Sequence, residues 1–587
     1  MFFGLNLFTK IIVSFVDMLG LRFIALFVFL SQIGVSQTKN VNLKIEGFPK
    51  QFKYNTQFPD SSSASKELKN QIDLLKLKGY FNIELTDYRF NNETLFAQII
   101  IGKLYKGIYL DNGNIPQDLI YQLGLKEQIR KEKPLELKSF QKFYTSILSY
   151  YENNGYPFAS LYLDSLQSIN DDFKAKIFIQ PNKNIIIDTL RLVGSAKISN
   201  SFIDSYLGIK TGQNYNEDKI RNIDKRLRDL SFVSVPKTAE VVFNGEKASI
   251  NLFLDKQNAN QFDGIIGFLP NSQTGKLQIT GDFKLNLKNA LKSGETIDFN
   301  YRGLPSQSQE LALKLAYPYL FKSQLGVSGD FQLFKRDSSF LNLNTRLGFD
   351  YNFTATQKLS FFIENFNGNQ VATNDSKVVA IPNFANIKST FYGISGSYIK
   401  LDNKITPLKG YDLTLQAAAG SRKINPSKNF RPENFFESKT SQQFKLQADL
   451  KYFLKTGSRS VIYLHNYSAV LTGKNLFENE AFRIGGAKTL RGFDEQSLNV
   501  NSFAIQTLEF RYLIEQNSYI NMFYDQSYIS QQFVNKNTTD FPLGVGVGIT
   551  FQTKVGIASL SYALGKQKNN ALDLQKGKIH FGIVSYF

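Results

Sequence analysis

The sequence predicts a multidomain chain, three small α+β domains followed by an antiparallel transmembrane β-barrel of about 16 strands. Three observations predict it. Residues 41–258 carry an internal repeat with a period of about 75 residues, each unit a helical stretch, a small or aromatic turn and two strands. From Gln261 onward, apolar and polar residues alternate along segments longer and more one-sided than those of a soluble sandwich. Mean hydropathy is only −0.24, and no internal run reaches the roughly eighteen apolar residues a spanning helix needs. A barrel tolerates such polarity because alternate residues face its lumen.

Composition narrows the chemistry. The 587 residues are 42% hydrophobic and 14% aromatic, with Phe 53, Tyr 29 and Trp 0, so an aromatic girdle at the membrane surface is built from Tyr and Phe. The absence of cysteine excludes disulfides, thiolate metal sites, a cysteine nucleophile and a lipid anchor on cysteine. The two histidines, His465 and His580, sit in separate strand-like segments and argue against a metal site. A net charge of +19 raises the question of nucleic acid. The Lys and Arg are spread along strands and alternate with apolar residues, which fits a solvated or lumenal surface and no nucleic-acid partner. No nucleophile–base constellation stands out, so neither an enzyme nor a cofactor is expected.

Taken in order, residues 1–37 read as a signal or targeting segment. Met18 to Arg22 is a short basic start, Phe23 to Leu30 an apolar core, and Gly34-Val35-Ser36 a small-residue cleavage site. Residues 1–17 fit this pattern poorly, which leaves Met1 and Met18 as alternative starts. The first repeat unit (41–106) runs from a helix around Leu68 through Gly79-Tyr80-Phe81 into strands Phe81 to Tyr88 and Thr94 to Gly102. The second (107–184) runs from Phe140 to Tyr151 through Gly155-Tyr156-Pro157-Phe158 into Ala159 to Asp164 and Phe173 to Gln180. The third (185–258) is the fullest. Strand Ile185 to Val193 is followed by a short helix capped by Ser199 and closed by Gly208, then a longer helix from about Asn216 to Leu230. Strands Ala239 to Phe243 and Ala248 to Leu254 complete it around Asn244-Gly245.

This β-α-α-β-β order, with Gly212 between the two helices, resembles the POTRA domain. The resemblance implies a receptor that binds polypeptides by adding a strand to a sheet edge. Spacers alone are the plainer alternative.

Residues 262–587 supply the barrel. Leu277, Ile279, Gly281, Phe283, Leu285 and Leu287 form one face of a strand, against Gln278, Thr280, Asp282, Lys284, Asn286 and Lys288. Phe444, Leu446, Ala448, Leu450, Tyr452 and Leu454 repeat the pattern against Lys445, Gln447, Asp449 and Lys451. Between such strands lies Phe482 to Phe493, in which Gly485 and Gly486 permit a tight turn and Leu490-Arg491-Gly492-Phe493 follows as a tip. This stretch resembles the inward-folded loop of the BamA/TamA family of outer-membrane proteins. Ala316 to Phe321, Asp402-Asn403 with Pro407 to Gly410, and Met522 to Ser527 resemble the family's strand motifs, with Ser527 where glycine is usual. Phe581, Ile583 and the terminal Phe587 resemble a barrel-assembly signal, although Ser585 breaks its apolar alternation.

The resemblance implies a loop lock in which Arg491 meets Asp525 inside the lumen. It also implies location in the bacterial outer membrane, with the repeat units in the periplasm. Gly264 and Gly267 in the first strand and Gly582 in the last suggest a loosely paired seam. The leading expectation is a factor that inserts or assembles outer-membrane proteins. Its partners are outer-membrane lipid, unfolded outer-membrane or secreted polypeptides, and periplasmic or lipoprotein partners on the POTRA units. The alternatives are a two-partner secretion transporter passing one exported polypeptide and, less well matched to the repeat, a passive porin.

Overall fold

A computed structural model describes residues 41–587 except 92, 130–132, 271–276, 304–307, 372–380, 428–429, 555 and 569–571. The targeting segment expected at 1–37, with its alternative starts, lies outside the described residues, as do the side chains of Leu277 to Gly281. The chain divides into two compact units, the first holding two α+β domains and the second holding the third domain and the barrel.

All three domains share one plan. A first strand lies parallel to the last, and the last pairs antiparallel with an edge strand. In the first domain, Val41–Glu46 runs beside Thr94–Ile101, with Ile83–Asn91 at the edge. The helix Ser61–Leu77 covers one face, and Asp60 caps it by accepting from Ser63 N at 2.7 Å. Alternate residues of the central strand, Leu95, Ala97 and Ile99, are buried beneath it, as period-two geometry requires. The second domain repeats this with Gly107–Asn112, Asp172–Gln180 and the edge strand Ser160–Ile169, under helices Gln117–Gln122 and Leu137–Asn153.

In the third domain, Ile186–Val193 pairs with Lys247–Phe253, and Glu240–Asn244 forms the edge. Helix Asn200–Leu207 starts at Ser199 and ends at Gly208, whose φ of 67° is the left-handed value glycine suits. The single longer helix expected from Asn216 is instead two short ones, Glu217–Arg221 and Ile223–Arg228. At the break the Asn222 side chain donates to the Asp218 carbonyl at 2.6 Å, the local competition by which asparagine interrupts helices.

The barrel is closed by 16 antiparallel staves, from Gln261–Pro270 to Lys578–Tyr586. One stave is made of two segments, Lys536–Asp540 and Leu543–Gln552, both paired with Ser518–Phe533. Pro542 lies at the break, where it has no N–H to give the ladder. Its carbonyl accepts from both the amide and the hydroxyl of Ser527, each at 2.8 Å, so Ser527 closes the gap. Outward positions are apolar and exposed, among them Phe444, Leu446, Tyr452 and Leu454. Inward positions carry charge. Lys445 and Arg346 both reach the buried Glu364, with Lys445 Nζ at 2.8 Å.

The third domain docks on the barrel's turns. Tyr319, in the turn after Gln309–Tyr317, packs against Phe202 and Tyr206 at ring distances of 5.5 and 5.8 Å. Ser199 N donates to Lys292 O at 2.8 Å, and Lys404 Nζ donates to the carbonyls of Arg228 and Asp229.

Candidate functional site

The segment between strands Ser460–Gly473 and Ser502–Glu515 folds back into the barrel. Its arms pair as a small hairpin, Phe482–Ile484 with Leu498–Val500. Gly485 and Gly486 turn the chain with φ of 113° and 95°, and Thr489 Oγ1 accepts from Gly485 N at 2.8 Å. Leu490 is then driven into the wall, fully buried among Ala469, Ile484, Val500, Phe503, Ile505 and Ile529. Full burial of a leucine is worth about 1.5–3 kcal/mol. That fixes where the next residue emerges.

The next residue is Arg491. Its guanidinium forks onto Asp525, with Nε to Oδ2 at 2.8 Å and Nη2 to Oδ1 at 2.6 Å. The remaining amine, Nη1, donates to Glu509 Oε2 at 2.6 Å, and the plane lies 3.4 Å over the Phe523 ring. Asp525 is 0% exposed and Glu509 3%, so the arginine answers two carboxylates almost without water. Burying either charge without a partner would be costly. Arg511 Nε shares Glu509 at 2.8 Å, and Thr507 Oγ1 donates to Asp525 Oδ1 at 2.8 Å.

Strand register explains why the tip fits here. Thr507 faces Asp525, Asp525 faces Gly544, and Gly544 faces Gly565 across four successive strands. The loop backbone crosses the two glycines. A Cβ on Gly544 would strike the Arg491 carbonyl, and one on Gly565 would meet the Gly492 carbonyl. Gly492 has φ of 87°, and a Cβ there would come within 2.6 Å of Gly565 N, so no side chain is accommodated on either partner. Phe493 packs beside this contact, 3.0 Å from where a Gly565 Cβ would be.

The seam lies close by. First and last strands pair at Gln261–Tyr586 and Phe262–Ser585, and Phe587 N donates to Asn260 O at 3.0 Å. The neighbouring ladders run from Gln261–Asn286 to Pro270–Leu277 and from Ile557–Val584 to Ala563–Lys578. Gly264, Gly267 and Gly582 all lie beyond the paired end of the seam. Phe581 on the last strand and Phe587 just past its end are exposed, and Ile583 is half-buried beside Ala558.

The structure thus brings Gly485, Gly486, Leu490, Arg491, Gly492, Phe493 and Asp525 together, with Gly264, Phe581, Gly582 and Ile583 on the seam strands lining the same lumenal cavity as Arg491. Sequence reasoning missed Glu509, Thr507, Gly544 and Gly565. The run Leu543-Gly-Val-Gly-Val-Gly548 held a signal, because glycine at every second strand position marks close backbone approach. Among the described residues, no group of three or more His, Asp or Glu is placed to hold a metal.

Comparison with known proteins gives a consistent fold. The Omp85 superfamily domain matches residues 289–587. The structure of CdiB from Acinetobacter baumannii is 12% identical, covering 89% of this chain and 97% of that one, with a TM-score of 0.52. CdiB from Escherichia coli is 11% identical over 90% and 98%, also with a TM-score of 0.52. BamA from Haemophilus ducreyi lacking POTRA domains 1–3 is 13% identical over 82% and 100%, with a TM-score of 0.45. No curated protein matches the sequence.

Proposed function

Since the chain belongs to the Omp85 superfamily, whose business at family level is outer-membrane protein insertion or secretion, we propose that it is an assembly factor. It inserts barrel proteins into the bacterial outer membrane at its own seam. One observation carries this, the seam held by Gln261–Tyr586 and Phe262–Ser585 while the flanking ladders continue beyond it. The unpaired N–H and C=O groups of the two edges are a template for an incoming strand. The three POTRA-like domains lie in the periplasm and receive unfolded outer-membrane polypeptides, or periplasmic and lipoprotein partners, by strand addition. The buried Arg491–Asp525 pair locks the loop so that the inner wall beside the seam stays in one arrangement. The protein acts through recognition and mechanics rather than as an enzyme.

Site-specific crosslinking in cells from Gly264, Gly267 and Gly582 tests this. Strands of nascent barrel proteins captured at these positions support the assembly factor. A second reading, transport of one exported polypeptide, is favoured by a lumenal cavity of about 1150 Å³ lined by Lys488, Arg491 and His580. Capture of a single secreted protein from lumenal positions, with none at the seam, would replace the first reading with the second.

A further inference from the structure

The loop residues just after the lock reach to both sides of the seam. Asp494 Oδ1 pairs with Lys578 Nζ of the last strand at 2.7 Å, and Gly492 N donates toward His580 Nε2 on the same strand at 3.4 Å. The next two residues turn the other way. Glu495 Oε2 lies 3.8 Å from Arg302 Nη1 on the third strand, Thr296–Gly303. Gln496 Nε2 donates to Glu310 Oε2 on the fourth, Gln309–Tyr317, at 2.8 Å. Arg302 Nε in turn meets Asp282 of the second strand at 3.3 Å. Three consecutive loop residues therefore join the last strand to the third and fourth, passing behind the place where the first and last strands are unpaired.

We propose that Asp494-Glu495-Gln496 is an electrostatic latch that holds the barrel shut from inside where the strand ladder does not. It rests on the reading of the seam as the working edge. Asp494, Glu495 and Lys578 are positioning residues, acting on the substrate only through the geometry of the last strand. Three features support the role. Glu495 is aimed by the loop itself, since Ala487 N donates to its Oε1 at 2.9 Å. Lys578 lies at the start of the last strand and Ser585 near its paired end, so the latch and the residual ladder hold opposite ends. The Asp494 and Lys578 side chains are 71% and 40% exposed, which makes the contact weak, salt-sensitive and easily released. Such a contact suits a barrel that opens and closes.

The chain has no cysteine, so Gly264→Cys with Ile583→Cys, two positions along the register set by Phe262–Ser585, places one disulfide across the unpaired part of the seam. Its rate of oxidation at low salt, in full-length protein with normal heat-modifiable migration, reports how closely the two strands are held. Lys578→Glu and Glu495→Gln are each expected to slow oxidation roughly two- to fivefold. Adding Asp494→Lys to Lys578→Glu restores the rate. Unchanged oxidation in either single variant overturns the latch. So does a loss at Lys578→Glu that the swap leaves in place, because the effect then belongs to that one side chain. The seam reading is decided separately. A fully oxidised seam that still assembles substrate barrels at the reduced protein's rate removes that reading, while the oxidation rates continue to decide the latch.

Discussion

The inward loop is fastened at its tip and at its stem, and the two anchors have opposite polarity. At the tip the loop brings the cation, Arg491, and the wall brings Asp525 and Glu509. At the stem the wall brings the cation, Arg422 on strand Gly410–Asn425, and the loop brings Glu480 at 3.0 Å. Both are nearly dry, with Arg422 1% exposed. Their partners differ in kind. Arg422 also donates to the carbonyls of Lys474 and Asn475 at 2.6 and 2.8 Å, while Glu480 accepts from Phe477 N and Gln443 Nε2 at 2.9 and 2.8 Å. The stem is woven into the backbone, so part of it does not depend on the ion pair. The polar part of the tip rests mainly on charge and fork geometry, set beside the buried Leu490 and the close backbone approach at Gly544 and Gly565.

Arg491→Ala should separate the two anchors most strongly. It strands Asp525 in the wall, while Glu509 keeps Arg511, and removing one partner of a buried pair costs about 3–5 kcal/mol. The expected outcome is a barrel with normal heat-modifiable migration, protease cleavage within the tip, and a large loss of assembly activity. Arg491→Lys should recover only part, since lysine lacks the planar fork. The Arg491→Ala/Asp525→Ala cycle should depart from additivity, and additive losses would contradict direct coupling.

Glu480→Gln probes the stem. Glutamine keeps an acceptor for Phe477 N and loses the charge, so the cost is the charge-assisted part of the contacts, about 1.5–3 kcal/mol. Proteolysis should stay confined to the native pattern at the tip, with thermal stability lowered. Tip cleavage equal to that of Arg491→Ala would mean that the two anchors are one.

These anchors were unequally legible in the sequence. Arg491 and Asp525 could be paired because each lies in a short motif, glycine-flanked or in Met522 to Ser527, within recognisable strands. The barrel itself was legible from alternation, since lipid outside and water inside impose a period of two. Arg422 and Glu480 carry no local mark. Gly420-Ser-Arg-Lys423 reads like any polar strand end, and its meeting with a loop more than fifty residues away is set by register across Gly410–Asn425 and Thr440–Lys455. Glu509 and Thr507 were hidden for the same reason. Which inward residue faces the loop depends on a stagger that long-range pairing decides. The helix break at Asn222 was missed because the apolar spacing of Ile220, Ile223 and Leu227 continues through it.

Gly544→Ala tests whether the tip needs backbone approach as well as charge. The added methyl presses on the Arg491 carbonyl, and overpacking of this kind costs about 1–3 kcal/mol. The shift of the Arg491 backbone displaces the fork as well, so Arg491→Lys in this background should cost less than in the parent, because a displaced fork has less to lose. Protease sensitivity of the tip measures both.

Thr507→Val is the mildest change and isolates one strand of the lock. The Thr507 hydroxyl donates to Asp525 Oδ1, which already accepts from Arg491 Nη2, and valine is close to threonine in shape. Asp525 therefore stays paired when the hydroxyl goes, and only one hydrogen bond is lost, about 0.5–1.5 kcal/mol. The same substitution in Arg491→Ala should cost more. Without the arginine, Thr507 is among the few donors left to a carboxylate that water does not reach. The tip anchor thus predicts a particular sign of coupling, in which the threonine matters more when the arginine is gone. Thermal stability of the two single variants and the double variant measures it. An equal cost of Thr507→Val in both backgrounds would show that Asp525 finds water once Arg491 leaves, and that the tip is wetter than the stem with which it was compared.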